Sequence, residues 1–150
     1  MKNFTEVEMS ADVLIVAPRL IEELMNTRVV APEKVVLSCR IDIAGSTAQV
    51  QWYRKGGCGC RDTFKQIDDS MYDISTVGDK MSLTIAMSQE SDSATYRCEV
   101  LNDFGRARTD CLLVVLRMSC LAFYNNNNNM IIVEVSSSIY IALYVDAHYL

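Results

Sequence analysis

The chain has 150 residues, 50% of them apolar and 22% charged, with a net charge of −5; this suits one folded domain with some flanking chain and not a disordered polymer. Residues 17–117 hold 13 basic and 14 acidic side chains, so they offer no basic footprint for nucleic acid and no polybasic patch for an anionic membrane. No run approaches the ~18 uncharged apolar residues of a membrane-spanning helix, so membrane insertion is not expected.

Residues 1–16 form a lead-in of mixed character. Glu6, Glu8 and Asp12 precede its short apolar run, which is too short for the hydrophobic part of a secretory signal. Either the protein works in the cytosol, or the chain is a fragment without its leader. Asn3-Phe4-Thr5 is a glycosylation sequon at the terminus.

The stretch "APRLIEELMNTRVV" (17–30) admits two readings. Leu20, Ile21 and Leu24 fit a short helix, or an edge strand entered after Pro18, where a missing N–H costs little. The all-β surroundings favour strand.

Five runs alternate with period two. Val35, Leu37, Cys39 and Ile41 share a face of "KVVLSCRI", and Val50 and Trp52 share one of "AQVQWYRK". Met81, Leu83 and Ile85 follow in "KMSLTIAM", and Ala94, Tyr96, Cys98 and Val100 in "ATYRCEV". Ala107, Thr109, Cys111, Leu113 and Val115 complete the set in "RARTDCLLVVL". This is the pattern of half-buried antiparallel strands. The breaks at Gly45-Ser46, Gly56-Gly57, Gly78-Asp79, Asp92-Ser93 and Gly105 are turn chemistry. Short strands so spaced argue for a sandwich or barrel. Cys39, Trp52 and Cys98 each lie on the apolar face of their own strand, and facing sheets of a sandwich are about 10 Å apart.

Taken together, "VVLSCRI", "VQWYRK" and "MSLTIAMSQESDSATYRCEVLNDFG" resemble an immunoglobulin domain of the I-set kind over residues 17–116. Leu83, Asp92, Tyr96, Cys98, Asn102 and Gly105 fall at family positions, and Pro32 stands where the family often has glycine. The resemblance implies an all-β, Greek-key sandwich of two antiparallel sheets. It also implies a disulfide, Cys39 to Cys98, in an oxidising compartment, or two packed thiols in a reducing one. Trp52 would pack beside the sulfurs, and Tyr96 would form a tyrosine corner, its hydroxyl returning to backbone near Asp92.

The remaining motifs carry little chemistry. Cys58 and Cys60 form C-G-C in the unusual loop "GGCGCRDTFKQIDDS". A metal site needs about four ligands, and the one histidine, His148, is far along the chain, so they read as loop thiols or a redox-sensitive pair. "DFG" at 103–105 lacks the companion motifs of a kinase and reads as a turn. Asp68-Asp69 and Glu22-Glu23 read as solvated charge. No nucleophile–histidine pair can be assembled within 17–116, so no catalytic residue, cofactor or metal is expected. Residues 117–150 are a low-complexity or atypical tail: Asn125–Asn129 is homopolymeric and no Lys or Arg follows.

By the same resemblance, the chain is a non-catalytic binding and structural module. One parent class is a muscle filament-associated giant of the titin, twitchin or obscurin kind, placed in the cytoplasm at the sarcomere. The other is an extracellular adhesion or receptor protein at the cell surface. The expected partners are proteins, sarcomeric or adhesive, docking on strand edges or on the loops 44–48 and 101–106.

Overall fold

The computed structural model describes residues 16–43, 47–56, 63–68, 70–117, 119–124, 126, 130–136 and 139–144, with side-chain detail through residue 117. Nine strands come before the tail: β1 (Arg19–Glu22), β2 (Thr27–Val30), β3 (Val35–Asp42), β4 (Gln49–Gly56), β5 (Lys65–Gln66), β6 (Asp73–Val77), β7 (Lys80–Ile85), β8 (Ala94–Asn102) and β9 (Gly105–Leu116). They form a four-stranded sheet in the order β1-β3-β7-β6 and a five-stranded sheet in the order β2-β9-β8-β4-β5. The chain changes sheet between β1 and β2, β2 and β3, β3 and β4, β5 and β6, and β7 and β8, which gives the Greek-key sandwich.

Alternation in sequence becomes alternation in burial. Val35, Leu37, Cys39 and Ile41 of β3 are buried, as are Met81, Leu83 and Ile85 of β7; Leu37 lies opposite Leu83 and Cys39 opposite Met81. From the other layer come Trp52, Ala94, Tyr96, Cys98, Val100, Cys111, Leu113 and Val115, all in one core cluster with the first set. Each fully buried aliphatic side chain contributes about 1.5–3 kcal/mol.

Residues 17–30 take the extended reading twice over. β1 pairs antiparallel with β3. β2 joins the other sheet and pairs with β9 in parallel, Thr27 opposite Leu113 through Val30 opposite Leu116. That parallel pair is the exception in otherwise antiparallel sheets. Between the two strands Leu24 is buried, and its N–H donates to Thr109 Oγ1 at 3.0 Å. The Leu112 N–H donates to Asn26 Oδ1 at 2.8 Å. These bonds fasten the crossing to β9 and satisfy the hydroxyl of Thr109, a polar residue inside the core.

β5 and β6 are strands that the pattern of the sequence did not suggest. The tail carries β10 (Ser119–Tyr124), β11 (Met130–Ser136) and β12 (Ile139–Tyr144), an antiparallel ladder in the order β10-β11-β12. The lead-in up to residue 15, Cys58, Cys60 and His148 lie outside the described residues. Among the described residues no helix is long and apolar enough to cross a membrane.

Candidate interaction surfaces and the core that holds them

The core fixes the surfaces, so its geometry comes first. Cys39, on β3, and Cys98, on β8, belong to opposite sheets and are almost fully buried. Both are free thiols, so the possible bridge is not formed in this structure. Shared hydrogen bonding with Cys39, and then burial, push the Cys98 thiol far above the ordinary range. Burial pushes Cys111 up to about 11. Trp52 stands directly across from Cys98 in the ladder and is 2% exposed. Its Nε1 has no acceptor among the described residues, so packing alone holds the indole. Leu83 is fully buried in β7.

Tyr96 is fully buried, and its hydroxyl donates to the Asp92 carbonyl oxygen at 2.9 Å. Its ring meets Tyr72 edge-on, with centroids 6.4 Å apart. Burial raises the Tyr96 phenol well above its usual range. Asp92 works twice at this bend, because its carboxylate also accepts the Gln89 N–H at 2.7 Å. Ser93 adds a link that sequence reasoning missed: its Oγ accepts the Val115 N–H at 2.9 Å and donates to the Val115 carbonyl at 3.2 Å. A lone serine after an aspartate carries no local sign of such a tie.

The two ends of the domain are the two ends of β9. Asn102 Oδ1 accepts the N–H groups of Phe104 and Gly105 at 2.9 and 3.1 Å, while Asn102 Nδ2 donates to the Val16 carbonyl at 2.8 Å. The entering chain is thus stitched to the β8–β9 turn. Gly105 has φ +156°, and a Cβ built there would stand 3.0 Å from Ala17 Cβ. At the far end the Ala31 N–H donates to the Leu116 carbonyl at 2.8 Å. β9 has 12 residues, roughly 40 Å at the usual rise. Chain entry and exit therefore lie at opposite poles.

The outer face of the five-stranded sheet is charged. Arg97 Nε and Nη2 donate to the two carboxylate oxygens of Asp110 at 2.7 and 2.8 Å, and the guanidinium stacks 3.8 Å above the Phe64 ring. Arg106 Nη1 is 4.0 Å from Glu99 Oε1, and Arg108 lies directly opposite Glu99 in the ladder. On the other sheet, Arg40 makes a two-pronged bond to Asp79, which holds that carboxyl below its usual range. A cleft of about 510 Å³ opens beside Trp52, with Gln66, Asp68 and Thr76 at its polar side; among the described residues it sets one carboxylate there and no histidine or cysteine. Among the described residues no cluster of three His, Cys, Asp or Glu could hold a metal ion.

The immunoglobulin I-set domain family matches residues 18–115. The chain belongs to the immunoglobulin I-set family. Members of this family are generally binding and structural modules. Palladin of Homo sapiens is 32% identical over 100 residues, 65% of this chain and 7% of that protein. The muscle M-line assembly protein unc-89 of Caenorhabditis elegans is 28% identical over 102 residues, 67% of this chain and 1% of that protein. The I-set chain therefore spans only a small part of either relative's length. Among solved structures, a chimeric titin Z1Z2 carrying an exogenous decorin peptide has 30% identity and a TM-score of 0.58, over 68% of this chain and 97% of that one.

Proposed function

We propose that this I-set domain is a non-catalytic protein-binding and spacer module of a muscle filament-associated giant protein, acting in the cytoplasm at the sarcomere. The observation that carries the reading is the parallel ladder that joins β2, reached soon after chain entry, to β9, which ends at chain exit. Tension between entry and exit pulls β2 one way along the ladder and β9 the other. Its hydrogen bonds are then loaded in shear and must yield together. Similarity to a muscle M-line assembly protein and to titin supports the muscle setting. In this reading Cys39, Trp52, Leu83, Asp92, Tyr96 and Cys98 serve the fold, and the partner meets the sheet faces, edges or loops.

A second reading rests on the thiol pair. Cys39 and Cys98 belong to one core cluster from opposite sheets, so an oxidising compartment would bridge them, as in an extracellular adhesion or receptor protein. Antibodies raised to residues 17–116 separate the two on muscle cells of the source organism. Cross-striated labelling that needs permeabilisation supports the first reading; labelling of intact cells overturns it in favour of the second.

We also propose that the module is residues 17–116 and that the tail is added to it. The family match ends at residue 115, and among the described residues β10–β12 pair with one another and with no strand of the sandwich. Removing residues 118–150 should leave the melting temperature nearly unchanged; a much lower one would place the tail in the core.

A further inference from the structure

The cleft beside Trp52 brings one carboxylate and two neutral polar side chains together, and the unpartnered Nε1 of Trp52 is shielded from water, so it is not offered to a ligand there. The buried thiols belong to the core already described. The edges of the three sheets are unlike one another, and that contrast reaches further.

The sandwich has four edge strands, β1 and β6 on one sheet and β2 and β5 on the other. Their lengths are 4, 5, 4 and 2 residues. Each carries exposed charge: Arg19 and Glu22 on β1, Asp73 on β6, Arg28 on β2 and Lys65 on β5. Short length and charge keep an open row of N–H and C=O groups from pairing with another chain.

The ladder of the tail has no such protection at its edges. β10 and β12 are its outer strands, of 6 residues each. Neither Ser119–Tyr124 nor Ile139–Tyr144 holds a charged residue or a proline, and no lysine, arginine or proline follows residue 117. The one charged residue in the three strands, Glu134, stands in the middle strand, opposite Cys120 on one side and Ile141 on the other. The two edges also differ. Only residues 117 and 118 separate β9 from β10, so β10 begins within about 11 Å of the end of β9 and the sandwich crowds that edge. β12 lies two strand spacings, roughly 10 Å, from β10. It is the richer in strand-forming residues, with Ile139, Tyr140, Ile141 and Tyr144 against Phe123 and Tyr124 on β10.

We propose that β12 pairs edge to edge with β12 of a second copy of this chain, antiparallel about a two-fold axis, so that two three-stranded ladders become one six-stranded sheet. Three strands are near the lower limit for an independently stable sheet, and the pairing gives partners to the outer backbone groups of β12. A copy of the same strand is the fitting occupant because it too arrives uncharged. Each edge strand of the sandwich would bring a charge to the pair. The pairing rests on the reading of the tail as an addition to the module, and it is independent of the muscle setting.

Sedimentation velocity of the full chain over a range of loading concentrations tests it. The wild type should pass reversibly from monomer to dimer as concentration rises. I141K/L143K sets like charges along the β12 edge and should weaken the dimer roughly tenfold or more. L121K/F123K makes the same change in net charge on the β10 edge and should dimerise as the wild type does. Circular dichroism melts of the sandwich should coincide in all three. A monomer at every concentration, an unchanged dimer in I141K/L143K, or equal loss in L121K/F123K overturns the pairing, and coincident melts then leave the reading of the tail intact. Assembly that grows past the dimer overturns the two-fold arrangement in favour of open-ended addition of ladders. A sandwich that melts lower in I141K/L143K overturns the reading of the tail, and the pairing with it.

Discussion

Replacing Tyr96 by Phe removes one hydroxyl and little else. The ring stays in the core, and its edge-on contact with Tyr72 survives. What is lost is the 2.9 Å bond to the Asp92 carbonyl. A typical intramolecular hydrogen bond contributes about 0.5–1.5 kcal/mol net, and an acceptor left without a partner costs more. Asp92 is half-buried, so water recovers part of that penalty. The expected loss is about 1–2 kcal/mol. For a domain of this size each kcal/mol lowers the melting temperature by roughly 4–8 °C. Urea unfolding and thermal melts measure it directly. Tyr53→Phe is the control: Tyr53 is only half-buried, and its hydroxyl donates to Gln51 on the sheet surface, so a change within about 0.5 kcal/mol is expected. Amide exchange at residues 89–93 should quicken in the Tyr96 variant alone. If Tyr96→Phe unfolds like the wild type with unchanged exchange there, the bend is held by Ser93 and Asp92 and the corner argument is wrong.

Gly105→Ala should destabilise more than Gly78→Ala. Both glycines have positive φ, which costs a side chain of order 1–3 kcal/mol, but only Gly105 faces a neighbour, Ala17 Cβ at 3.0 Å. Limited proteolysis should then cut the entering chain near Val16 faster in the Gly105 variant, and equal melts for the two would refute the close-approach argument. Alkaline pH should loosen the fold. Burial raises the Cys111 thiol from 9.0 to about 11, so its contribution is fully present below pH 9 and is lost as pH rises towards 11. Two units correspond to about 2–3 kcal/mol, and the raised Tyr96 phenol acts in the same direction. Urea midpoints at pH 7, 9 and 10.5 should fall steadily, less steeply in Cys111→Ala; a flat series would contradict the burial argument.

The sequence made five strands legible because each buries one face against a core, and period two records that directly. β6 left no such record: at a sheet edge only Ile74 of its five residues packs against the core. β5 is two residues long, too short for any period. Residues 17–30 were ambiguous because the segment splits between sheets, and the bonds that guide the crossing, from Leu24 to Thr109 and from Leu112 to Asn26, link residues more than 80 apart in sequence. The charged face was invisible for a related reason. Strand register alone sets Arg97 beside Asp110 and Glu99 beside Arg108.

The proposed module works in a reducing cytoplasm. Alkylation of native protein from its natural source without prior reduction, followed by peptide mass spectrometry, tests it most directly. All six cysteines should be labelled, Cys39, Cys98 and Cys111 once the fold is opened by denaturant. A recovered peptide pair linking Cys39 to Cys98 would contradict it and place the domain outside the cell.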